Sequence, residues 1–162
     1  MTEERRSHCF EHSRRVEFHE TDLAGIVHFS NFYRYMEAAE HAFMRSLGHA
    51  VHGQNSEPGI GWPRVSASCE FRKPARNDDL LLIRVGIEEI RTRSVRYSFR
   101  FYLDPEDAPI ATGKVAVACV HFKDGGISAV PIPHQIRADL KSCLLYTSPS
   151  PRDRTRSRMP SS

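Results

Sequence analysis

The chain has 162 residues, 27% of them charged, and a formal net charge of +3 at pH 7. That excess sits in one place: Arg152, Arg154, Arg156 and Arg158 stand against Asp153 alone, so residues 1–142 are formally neutral. A neutral body gives no footing for nucleic acid or an anionic membrane surface as partner, and no apolar run approaches the roughly 20 residues of a membrane span. The string C-L-L-Y-T-S-P-S-P-R-D at 143–153 matches translated library-adapter sequence. Residues 143–162 are therefore expected to lie outside the fold as a read-through tail. About 130 residues, 14–142, remain for one domain with its own core. Cys9, Cys69 and Cys119 form an odd, widely spaced set without C-x-x-C, which disfavours zinc ligation and a disulfide framework. The alternation of the chain puts Cys69 and Cys119 on inward strand positions, and a reducing cytoplasm is the expected location. The pairs His8/His12 and His49/His52 lack acidic or thiol partners at metal-site spacing, so no metal is expected.

In chain order, residues 1–13 are polar and expected to fray, without the apolar centre of a signal peptide. Residues 14–19 read as a first strand with Val16 and Phe18 on one face. Asp22 follows in a short loop, then Ala24-Gly25 and a brief apolar pair, Ile26-Val27. A helix of roughly 17 residues begins next, about 25 Å long, with Ser30 or Asn31 expected as its N-cap. Phe32, Met36, Ala39, Phe43 and Leu47 recur at helical spacing as one apolar stripe, and Gly48 closes the helix. Residues 50–61 are loop-like, with Gly53, Pro58, Gly59 and Gly61 as breakers. Residues 62–72 alternate, with Val65, Ala67, Cys69 and Phe71 on the inward face. Residues 73–79 turn; residues 80–90 and 95–103 are strands joined by a polar connector; residues 110–122 form a last strand. Residues 133–140 open a short helix. A strand, a long helix and four antiparallel strands make an α+β fold, with the helix on one face of the sheet.

Asp22 places a carboxylate within ten residues of a helix N-terminus, whose unpaired amides favour developing negative charge. An acid beside an oxyanion-binding helix end suits acyl transfer. The alternative reading is that Asp22 caps a turn for which Gly25 supplies the left-handed residue. Val16-Glu17-Phe18, then Asp22-Leu23-Ala24-Gly25-Ile26-Val27, then Asn31-Phe32-Tyr33, resemble the signature of hotdog-fold acyl-CoA thioesterases of the 4-hydroxybenzoyl-CoA thioesterase type. The resemblance covers roughly residues 14–133. It implies a hotdog fold, a long central helix wrapped by an antiparallel sheet of about five strands. It also implies a homodimer or dimer of dimers whose active site lies between protomers.

What the resemblance implies for the site can be set out by role. Asp22 would be the catalytic residue, as nucleophile or as general base. The backbone N–H groups of His28 and Phe29 would hold the oxyanion, the His28 ring being read as pocket wall or solvent contact rather than as an acid. Phe32 and Trp62 would line the acyl pocket, core packing being an equal reading for Trp62. Arg91, Arg93 and Ser94 would bind the nucleotide end of coenzyme A, their alternative being an ordinary hairpin connector. Glu37 and Glu40 are the other acids on the helix, more simply read as a polar face or an interface contact. No cofactor is implied beyond coenzyme A as part of the substrate. Two further classes stay open: a hydratase or dehydratase of the same fold, and a non-catalytic acyl-CoA-binding module.

Overall fold

The computed structural model describes residues 9–50, 59–123 and 125–144. Eight strands and two α-helices follow in chain order: β1 (Phe10–Arg15), a 3-10 turn (Phe18–Glu20), α1 (Ser30–Ser46), β2 (Ile60–Gly61), β3 (Arg64–Phe71), β4 (Leu80–Ile90), β5 (Ser94–Tyr102), β6 (Ala111–Ala118), β7 (Val120–Lys123), β8 (Gly126–Ala129) and α2 (His134–Ser142). Five strands make one antiparallel sheet in the order β1-β4-β5-β6-β3; β2, β7 and β8 make a second, small one. The architecture is the α+β arrangement expected, one long helix lying on a curved antiparallel sheet.

The core forms where the two periodicities meet. Phe32, Met36, Ala39 and Phe43 recur every three or four residues along α1 and are buried, as are Tyr35 and Met44. Leu81, Ile83, Val85 and Ile87 on β4, and Val95, Tyr97, Phe99 and Phe101 on β5, alternate with outward residues and face the helix. Each large apolar side chain buried this way contributes roughly 1.5–3 kcal/mol. The helix ends in a Schellman motif. Gly48 adopts φ +86°, its amide donates to Arg45 O at 2.9 Å, and the His49 amide donates to Met44 O at 2.9 Å. His49 then reaches across to α2, its Nε2 lying 2.7 Å from Asp139 Oδ2.

Several expectations are corrected. The first strand begins at Phe10 and ends at Arg15, so residues 10–13 do not fray; their backbone pairs with β4, which needs no apolar side chains. Beyond Val16 the chain turns, because Glu20 Oε1 accepts the Glu17 amide at 2.8 Å and the Glu20 amide donates to Glu17 O at 2.9 Å. This swings Phe18 out to 78% exposure. The N-cap of α1 is Phe29, with no side-chain cap; Ser30 and Asn31 are already helical, and Asn31 Nδ2 donates instead to Glu20 O at 2.8 Å. On β3 the inward face is not buried: Val65 is 62% and Phe71 45% exposed. That strand is the sheet's edge, and a register shift lies between Arg64 and Ser66. Of the two cysteines placed inward, Cys119 is fully buried and Cys69 half-buried.

The expected strand 110–122 splits at Cys119. The Ala118 amide turns to Pro63 O and the Cys119 amide to Arg93 O, and the chain passes from the large sheet to the small one, where β8 was not anticipated. At the C-terminus, Cys143 caps α2 and Leu144 forms a bridge to Ile87, so two residues assigned to the tail pack on the domain. The rest of that assignment, 145–162, lies outside the described residues, as do residues 1–8 with His8 and residues 51–58 with His52.

Candidate active site

Asp22 opens a tight loop. Its amide donates to Ile26 O at 2.8 Å, the Gly25 amide donates back to Asp22 O at 2.9 Å, and Gly25 takes φ +79°, a conformation that a Cβ would strain. Asp22 Oδ1 accepts the Ala24 amide at 2.8 Å. The turn-capping role weighed for Asp22 is therefore real, and it occupies one carboxylate oxygen. Asp22 also lines a cavity of about 420 Å³, together with Ile26, Val27, Phe29, Phe32, Phe71, Arg72, Lys73 and Pro74. Its walls are aromatic and aliphatic, and Phe32 meets Phe71 edge to face at 5.1 Å.

The loop is pinned from beneath by Glu20, a residue that no motif or spacing singles out. Glu20 is 5% exposed. Its carboxylate accepts from the Arg14 guanidinium, from the Tyr35 hydroxyl at 2.9 Å and from the Glu17 amide. Its backbone carbonyl accepts the His28 amide at 3.0 Å and the Asn31 side chain. Burial alone would raise the Glu20 carboxyl; the Glu17 amide, Tyr35 and Arg14 outweigh it and hold it below the ordinary glutamate value. Burial and the adjoining Glu20 push the Tyr35 hydroxyl up. One buried ion pair thus ties β1, the Asp22 loop and the first turn of α1 together. Glu17, His19 and Glu20 bring one ligand atom each to within 4.8 Å of one another, and Arg14 is ion-paired with both glutamates.

Of the two amides expected to hold an oxyanion, the structure separates one from the other. The His28 amide is spent on Glu20 O. The Phe29 amide has no acceptor among the described residues, and its side chain lines the cavity. The His28 ring is exposed, stacks on Phe29 at 4.7 Å, and sits 2.8 Å from Ser30 Oγ. Phe32 lines the cavity. Trp62 does not: it is 7% exposed within the core, the packing role being the one realised in the single chain.

Arg91, Arg93 and Ser94 are not brought to Asp22 within one chain. They form the β4–β5 turn, closed by the Arg91 amide on Ser94 O at 2.8 Å, beside the Arg64 end of β3. Asp22 lies at the Phe71 end. Along β6, which runs between these ends, the separation is about 24 Å. Arg91 is ion-paired to Glu89; the Arg93 side chain has no partner among the described residues. Glu37 and Glu40 are also away from the Asp22 cavity. Glu40 is 2% exposed and bonded to Arg64, while Glu37 lines a separate cavity of about 240 Å³ with Tyr33, Arg34, Arg64, Ala67 and Val115. Among the described residues no helix is long and apolar enough to cross a membrane.

Residues 16–140 match the thioesterase-like superfamily. A protein of Aquifex aeolicus is 34% identical over 122 residues, 75% of this chain and 91% of that one. The 4-hydroxybenzoyl-CoA thioesterase of Pseudomonas sp. is 39% identical over 83 residues, 50% of this chain and 59% of that enzyme. Among solved structures, a gentisyl-coenzyme A thioesterase superposes with a TM-score of 0.68 at 30% identity, covering 81% of this chain and 99% of that one.

Proposed function

The chain belongs to the thioesterase-like superfamily, and from that premise we propose that Asp22 carries the hydrolysis of an acyl-CoA thioester to free acid and coenzyme A. That the protein is a thioester hydrolase of the hotdog fold follows from its family and relatives. The observation that supports the role of Asp22 is the cavity. A carboxylate fixed by its own turn stands at the mouth of an apolar, aromatic-walled space of acyl size, beside an unspent amide at a helix N-terminus.

The chemistry follows from those parts. The acyl chain enters between Phe29, Phe32 and Phe71, which leaves the carbonyl at the mouth beside Asp22. The carboxylate attacks the carbonyl to form an anhydride, or takes a proton from an attacking water; both routes use the same oxygen. Charge developing on the carbonyl oxygen is met by the Phe29 N–H and the positive end of α1. Coenzyme A leaves as the thiolate; on the anhydride route water then cleaves the anhydride, which releases the acid and restores the Asp22 carboxylate.

The nucleotide end requires a second chain. Of the two sheet edges, β1 carries Glu11, Arg14 and Arg15 and continues into a turn. β3 exposes Val65, Ala67 and Phe71; its register shift lies at the Arg64 end, and between that shift and Phe71 its one charged residue is Glu70. Pairing β3 with its own copy about a two-fold axis runs the strands antiparallel, which sets the partner's Arg64 end beside this chain's Phe71 end. Arg91, Arg93 and Ser94 of one protomer then approach the Asp22 cavity of the other and hold the phosphates of coenzyme A. The working form is a homodimer or a dimer of two such dimers. All four cysteines are free thiols, which supports a cytoplasmic location.

The test is free-thiol release from a panel of aromatic, short-chain and medium-chain acyl-CoAs, with wild type and Asp22→Asn side by side. Turnover of at least one ester that collapses in the variant is the expected result. A variant as active as wild type would remove Asp22 from the mechanism.

A further inference from the structure

We propose that Arg72 and Lys73 form an anion-binding subsite at the rim of the Asp22 cavity, so that the preferred acyl group is an apolar body with a negative charge remote from the thioester. This rests on the reading of Asp22 as the group at the reacting carbonyl. Three of the nine residues lining the cavity are charged: Asp22, Arg72 and Lys73. Both cations follow Phe71 directly, at the end of β3. Their backbone is held by one acceptor, Ile110 O, at 2.8 Å from the Arg72 amide and 3.2 Å from the Lys73 amide. Their side chains have no hydrogen-bond or ion-pair partner among the described residues. Arg14, Arg64, Arg84, Arg91 and Lys114, by contrast, each hold a glutamate.

An aromatic wall takes an apolar body, and two unpaired cations take an anionic tip. Asp22 repels negative charge near the carbonyl, which leaves the far end of the acyl group as the place for it. The anion has two chemical sources, an acidic group on the acyl chain or the phosphates of coenzyme A. Size decides between them. A space of 420 Å³ is about 9 Å across if round, whereas the extended pantetheine arm holds the diphosphate roughly 15 Å from the thioester sulfur. A phosphate reaching this rim would have to fold back over its own arm.

The experiment compares terephthaloyl and p-toluoyl thioesters, which share a ring and differ in a carboxylate against a methyl. Each is made with coenzyme A and with pantetheine. Wild type is expected to favour terephthaloyl roughly 10- to 100-fold in kcat/KM, the range of a charge-assisted contact, with either carrier. In Arg72→Gln/Lys73→Gln the ratio should fall towards one. Because the ratio is taken within one protein, a change in folded fraction cancels. A wild-type ratio near one, or a ratio the substitutions leave intact, overturns the proposal. So does a variant that loses affinity for both coenzyme A esters and for neither pantetheine ester, since the cations would then hold phosphate. Calorimetry with the matching non-hydrolysable amides separates this from the reading it rests on. Tighter terephthaloyl-amide binding that needs Arg72 and Lys73, without hydrolysis of any ester, keeps the subsite and removes the hydrolase role of Asp22. Hydrolysis without the preference does the reverse.

Discussion

Asp22 gives one oxygen to the Ala24 amide and has one left for chemistry, and this division makes its substitution informative. In Asp22→Asn the side-chain carbonyl can still accept the Ala24 N–H, so the turn and the cavity survive. The variant loses the charge needed for a base or nucleophile, so kcat should fall by roughly 10²- to 10⁴-fold with little change in KM. Steady-state kinetics check this, and a rise in KM at constant kcat would instead make Asp22 a binding group. Glu40 poses a separate question of pH. Burial pushes its carboxyl up to about 7 against the pull of Arg64, with Glu37 adding to the rise. The folded protein then keeps a proton that the unfolded chain releases between pH 4.5 and about 7. Stability contributed by the protonated acid is therefore present below that window and is lost as pH rises through it, by up to about 3 kcal/mol. Glu40→Gln should flatten this slope, read as urea midpoints across the same window. An unchanged slope would mean that Glu40 is ionised throughout. Asp22 was legible in the sequence because its loop and its glycine are adjacent to it. Glu20 was not, since the Arg14 and Tyr35 that give it meaning are 6 and 15 residues away and belong to different elements.

At the scale of elements, β6 passes close under Met36 of α1 at Gly113. A Cβ on Gly113 would fall 2.4 Å from Met36 Sδ and 3.1 Å from the Ser68 backbone oxygen. Gly113→Ala should therefore cost about 1–3 kcal/mol by overpacking. In the double variant with Met36→Ala the two losses should be less than additive, because the truncated side chain makes the room. Denaturant unfolding of the four proteins gives the coupling directly, and strict additivity would place the strain elsewhere. The same packing explains what was readable. α1, β4 and β5 were visible because burial on one face imposes a period, 3.6 or 2, on their apolar residues. β1 was misjudged because it is held by backbone pairing to β4 and carries half-buried His12 and Arg14 where apolar residues would have signalled a strand. β3 shows the opposite failure. Its alternation is genuine, yet Val65 and Phe71 are exposed in the single chain. A pattern written for burial but left open within one protomer points beyond that protomer.

At the scale of the whole molecule, that open edge and the separation of Asp22 from Arg93 address the same point. Within one chain the two lie at opposite ends of the sheet, about 24 Å apart along β6. The two-fold axis proposed through β3 would bring them together and make two composite sites per dimer. Mixing then distinguishes shared from private sites. Asp22→Asn and Arg91→Ala/Arg93→Ala are each expected to be impaired alone, the first in kcat and the second in KM for coenzyme A esters. Co-expressed, the two variants pair at random, and about half the dimers are mixed. In each mixed dimer one site collects both defects and the other is intact, so kcat/KM should recover to roughly a quarter of wild type. If each site were built from a single chain, every site in the mixture would carry one defect, and activity could not exceed the average of the two parents. Light scattering on the same samples should give two or four chains per particle. An active particle of one chain would leave Arg91 and Arg93 where they stand in the protomer, remote from the reaction.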